Sequence, residues 1–71
     1  MAEFSEYLST EKKREVLIQR ITRFAEEGYQ YELNKKFALA SGDEDSAEEA
    51  ELAIQDLKTA IEVHEQELRS I

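Results

Sequence analysis

In the second half of the chain, Ala47, Ala50, Ile54, Leu57, Ile61, His64, Leu68 and Ile71 recur at alternating steps of three and four. No other feature narrows the choice of fold so far. A 3–4 alternation held over three heptads keeps one line of side chains on one side of a helix. Such a line is buried against another helix crossing at a shallow angle. Ala53 and Ala60 widen the stripe. The spacing predicts a helix over 46–71, and its start carries two motifs. Asp45-x-x-Glu48 and Ser46-x-x-Glu49 both have the form of a capping box. Asp43, Glu44 and Asp45 put negative charge at the positive end of the helix dipole, and Arg69 lies near the other end.

A partner helix is available in the first half. Leu17, Ile21, Ala25, Tyr29, Leu33 and Phe37 follow a row at spacing four, and Ser9 or Thr10 is placed to cap the helix that carries them. A strict row of fours drifts around a straight helix, so the buried face must wind or be shared between partners. Tyr29, Tyr31 and Leu33 also alternate with polar residues as a strand would, but the run is short and embedded in strong helix formers. Gly42, after ALAS, suits a left-handed helix-ending position.

The expected organisation is a single domain over 1–71: an N-terminal arm (1–9), a first helix (10–41), a turn (42–45) and a second helix (46–71). The fold class is all-α, an antiparallel two-helix hairpin with arms of roughly 40 to 46 Å. Pairing outward from the turn sets Phe37 near Ala50, Leu33 near Ile54, Tyr29 near Leu57, Ala25 near Ile61, Ile21 near His64 and Leu17 near Leu68. Large residues oppose small ones at several of these levels, as interdigitating layers require. The arm, with Phe4, Tyr7 and Leu8, is expected to form a short turn or helix that folds back.

This pairing leaves Phe24, Gly28, Tyr31 and Leu39 on a neighbouring face, with Val16 and Ile18 on its flanks and Leu52 and Val63 spare on the second helix. A contiguous apolar patch of that kind marks a contact surface. The expected solution is a homodimeric four-helix bundle or a higher oligomer. Size points the same way. With 71 residues the chain buries about 60% of its unfolded surface, and such small domains need a supplement. Cysteine is absent and there is one histidine, which removes disulfides and disfavours a metal, leaving association.

Gly28 stands in mid-helix, where glycine costs about 1 kcal/mol relative to alanine. One reading is close helix–helix packing at the centre of the bundle. The other is a shallow binding notch, with Arg20, Phe24, Tyr31 and Lys35 around it at helical spacing. Those residues offer rings for stacking and cations for a small anionic ligand such as a nucleotide.

Formal net charge is −8, against direct nucleic-acid binding through phosphates. It is unevenly spread: from Thr10 to Ala40 seven basic residues face five acidic ones, and from Asp43 to Ile71 two face ten. The ridge Asp43, Asp45, Glu48, Glu49, Glu51 and Asp56 raises the reading of a nucleic-acid mimic that occupies a basic groove on another protein. Apolar runs are too short to span a membrane, and MAEFSEYLST has no charged-then-apolar leader, so the expected setting is cytoplasmic, a host cytoplasm for a phage-encoded chain.

Catalytic motifs are missing. HEQEL starts like a zinc-protease motif but has Leu68 in place of the second histidine. Ile61 stands where a carboxylate-bridged di-iron site needs glutamate. The serines have no glycine-rich elbow or neighbouring histidine, there is no phosphate-binding glycine loop, and GDEDSAEE lacks calcium-loop spacing. No enzyme, cofactor or metal is expected. The composition is similar to that of compact, acidic, cysteine-free accessory proteins of phage and bacteria. The leading expectation is a non-catalytic accessory, regulatory or inhibitory factor that binds a protein partner as well as itself.

Overall fold

A computed structural model describes residues 3–71. Met1 and Ala2 of the expected arm lie outside the described residues. Helix α1 spans Thr10–Ala40 and helix α2 spans Glu44–Ser70, with a short 3-10 turn at Phe4–Tyr7 before them. The described residues contain no strand. The two helices pack against each other as a hairpin, so the all-α expectation holds.

Local chemistry sets the boundaries. Ser9 is the N-cap of α1, its Oγ accepting from the Lys12 N–H at 3.1 Å. At the other end Gly42 has φ 74°, a left-handed conformation open to glycine at low cost. The Gly42 N–H donates to the Leu39 carbonyl at 3.1 Å and the Asp43 N–H to the Ala38 carbonyl at 2.8 Å. These two bonds are the Schellman ending.

The start of α2 departs from expectation. Neither Asp45 nor Ser46 is the cap; Asp43 is, and its carboxylate accepts from the Ser46 N–H at 3.1 Å and the Ser46 Oγ at 2.6 Å. The helix begins at Glu44, two residues before the expected 46, and the expected turn 42–45 contracts to 41–43. The reason is economy of positions. The Schellman ending must be followed by a non-helical residue, and Asp43 both completes that ending and caps the next helix.

Register follows the pairing outward from the turn. Lys35 meets Glu51, Arg20 meets His64, and Arg14 reaches the carbonyl of Ile71 at 3.4 Å. The face that α1 turns inward is only partly the one expected. Leu17, Ile21 and Leu33 of the row of fours are half-buried, together with Phe24, Gly28, Lys35 and Ala38, while Ala25, Tyr29 and Phe37 are exposed, the last two at 62% and 70%. The row of fours therefore leaves the interface at Ala25 and Tyr29 and touches it again at Leu33. Near the turn it is Ala38, not Phe37, that α1 turns inward. The stripe on α2 keeps to one line because its steps average 3.5, and a partner can follow that line only with the same average. Steps of 4, 3, 4 through Leu17, Ile21, Phe24 and Gly28 do so; steps of four do not.

The core is small and lies by the turn. Among the described residues only Ala47, Ala50 and Ile54 are buried, all on α2. Toward the open end, Leu57, Ile61, His64, Leu68 and Ile71 are half-buried. Leu8 reaches back to this end, lining a shallow groove with Val16, Leu17 and Ile71. Phe4 and Tyr7 do not, remaining 89% and 75% exposed. The molecule measures 51 × 20 × 17 Å with a radius of gyration of 16.2 Å. A compact domain of this length would have about 11 Å. No described helix is long and apolar enough to cross a membrane.

Candidate interaction surface

The residues singled out around Gly28 belong to the seam between the helices. Arg20 donates from Nε to His64 Nε2 at 2.9 Å, and its guanidinium carbon lies 5.9 Å from the Phe24 ring centre. Phe24 meets His64 edge-on, ring centres 5.0 Å apart at 73°. His64 Nδ1 lies 2.6 Å from the Ala60 carbonyl. A carbonyl can only accept, so the ring proton sits on Nδ1, leaving the Nε2 lone pair to receive the guanidinium N–H. Arg20, Phe24 and His64 form one cross-seam cluster.

Lys35 is also engaged, its Nζ 3.4 Å from Glu51. Gln55 donates to the same glutamate at 3.3 Å. These two bonds, Gln55 first, hold the Glu51 carboxyl below its ordinary value. Along α1, Arg20 and Lys35 stand roughly 22 Å apart at the helical rise. A single chain therefore does not bring the two cations to one small ligand.

Gly28 is half-buried between these two bridges, and a Cβ built on it meets nothing within 4 Å. Close approach by α2 is thus not what the glycine permits. It leaves a notch of about 210 Å³, lined by Phe24, Ala25, Gly28 and Tyr29 from α1 and by Ile54, Leu57 and Ile61 from α2, with Glu32 and Lys58 at its rim. The notch continues toward the turn past Lys36, Leu39 and Glu51. Residues from Phe24 to Leu39 on α1 and from Glu51 to Ile61 on α2 thus line a trough with charged edges on one side of the hairpin. Tyr31, 38% exposed, does not line this trough.

The acidic ridge divides. Asp43 is the cap, its carboxyl held below the ordinary value by the two bonds from Ser46. Glu51 is bound to Lys35 and Gln55. Asp45, Glu48, Glu49 and Asp56 are exposed, and the spacing of Asp45, Glu49 and Asp56 sets those three on one line of α2 with Leu52 among them. Among the described residues no three His, Asp or Glu side chains converge as metal ligands would.

Sequence reasoning assigned Tyr29 to the buried row and so missed it as part of an open face. Pairing from the turn set Ile21 opposite His64; it is Arg20, one residue away and read as part of a ligand notch, that bonds the histidine. No protein family matches the chain, and neither a curated protein nor a solved structure matches it.

Proposed function

We propose that this chain is a non-catalytic interaction protein: a small acidic helical hairpin that acts by laying an apolar face on a protein partner, as an accessory, regulatory or inhibitory factor does. One observation carries the reading. The chain exposes 5809 Å². A compact monomer of 8.2 kDa exposes about 4,500 Å². The excess, about 1,300 Å², is more than the roughly 800 Å² each partner contributes to a standard interface. Exposed apolar side chains include Ile18, Tyr29 and Leu39 on α1 and Leu52 and Val63 on α2.

The sequestering of a small anionic ligand draws less on the geometry. Arg20 and Lys35 are each bonded across the hairpin and stand too far apart along α1 to meet on one small ligand. Nucleic-acid mimicry keeps only part of its ridge free, since Asp43 and Glu51 have structural partners.

The test is native mass measurement of the chain purified alone and from the extract of its source cells. A stoichiometric second polypeptide, released by Leu39→Lys or Ile18→Lys, supports the reading. A folded single chain that carries no polypeptide in either preparation contradicts it.

A further inference from the structure

Resting on the docking reading, we infer which partner the trough at Gly28 fits: a second copy of this chain, joined about a two-fold axis that runs along the hairpin. Each α1 then lies antiparallel on the α2 of the other copy.

Area favours a copy of the chain itself. If each of two chains gave up its excess surface, roughly 2,600 Å² would be buried, within the range of obligate homodimers. The trough also has the composition of an isologous interface. It holds a depression at Gly28, an aromatic ring beside it at Tyr29, and aliphatic side chains at Ile54 and Ile61.

Charge chooses the axis. Two hairpins packed face to face are related by an axis along their length or across it. Across it, α1 lies on α1 and α2 on α2. Along it, each α1 lies on an α2. Within its bounds α2 has nine acidic and two basic residues, net −7, and α1 has seven basic and five acidic, net +2. Crossing the axis would lay −7 on −7; running it lengthwise lays +2 on −7 on both sides. The trough edges agree. Glu32 and Lys36 line it from α1, Glu51 and Lys58 from α2. Under a lengthwise axis each copy's levels coincide, so Lys36 stands at the level of the partner's Glu51, and Glu32 within about a turn of the partner's Lys58. Every neighbouring helix pair in the resulting bundle is antiparallel, as in up-down four-helix bundles.

Sedimentation and label-to-label distances test this. The native chain should sediment as a dimer at micromolar concentration. Tyr29→Glu should raise the dimer dissociation constant by at least about 30-fold, the scale of losing an aromatic anchor. Phe37→Glu, equally exposed but outside the trough, should leave it within about threefold. The chain has no cysteine, so Ala40→Cys gives one label site per copy in an otherwise native chain. The lengthwise axis predicts labels about 15 to 25 Å apart, set by helix spacings of ~8–10 Å and the tethers. A separation near the 51 Å length of the hairpin overturns the axis. Dissociation by Phe37→Glu with Tyr29→Glu harmless overturns the face. A monomer that still carries a different polypeptide overturns the inference and spares the docking reading; a monomer carrying none overturns both.

Discussion

Two glycines in one short chain serve opposite ends. Gly42 is needed for its backbone, since φ 74° strains any side chain. Gly42→Ala should therefore destabilise the chain by about 1 to 2 kcal/mol, read by chemical denaturation. Gly28 has ordinary helical geometry and open space around it. Gly28→Ala should stabilise the hairpin by about 1 kcal/mol in the same measurement, at concentrations low enough to separate copies. A loss of stability at concentrations where copies associate would instead mean that atoms of a second copy occupy the notch. Asp43 acts through its charge. Its folded-state carboxyl titrates below the unfolded one, so its contribution is full above the ordinary carboxylate range and is lost as pH falls through the depressed value. The stability gap between the native chain and Asp43→Ala, measured by thermal melts, should be widest near neutrality and shrink as the medium is acidified. A gap that grew on acidification would contradict the cap.

At the scale of the helices, α2 was readable and α1 only partly so. The stripe from Ala47 to Ile71 is the one apolar line on its helix that keeps a 3.5 average, so nothing competes with it. On α1 several apolar rows coexist. Ala25, Tyr29 and Phe37 continue one of them with larger apolar area than Gly28, Lys35 and Ala38 offer on the true seam. Hydrophobicity alone could not rank the rows; matching the period of α2 could. The expected cap of α2 failed for a related reason, while Ser9 and Gly42 held. Two sequences of capping-box form stood downstream of Asp43, and the tie between Gly42 and Asp43 that decides the matter is a backbone property. The cross-seam cluster gives a prediction of its own. A double-mutant cycle with Arg20→Met and His64→Leu should return a coupling of roughly 0.5 to 1 kcal/mol, the net value of one hydrogen bond with its packing. Additive effects would mean that the two side chains do not meet in solution.

Taken as a whole molecule, the chain is a rod only one hairpin thick. Among the described residues only three are buried, all near the turn, while ordering costs ~1 kcal/mol or more per residue, so the proposed association would supply burial that a lone hairpin lacks. Half-burial along the seam helps, yet the open trough between Phe24 and Leu39 leaves apolar area in water. The candidate site at Arg20, Phe24, Gly28, Tyr31 and Lys35 was legible as a set of residues at helical spacing. Its division was not: the cations turned out to bridge the hairpin, and the glycine alone shaped open surface. Side-chain partners across the seam decide that division, and they follow from the inward face of α1, which the sequence left ambiguous.

Thermal unfolding over a hundredfold dilution puts the insufficiency of the lone hairpin to the most direct test. Coupling of folding to association changes the free energy by about 2.7 kcal/mol over that range, so the midpoint should fall by roughly 5 to 10 °C. An unchanged midpoint, with the mass of one chain at every concentration, would contradict it.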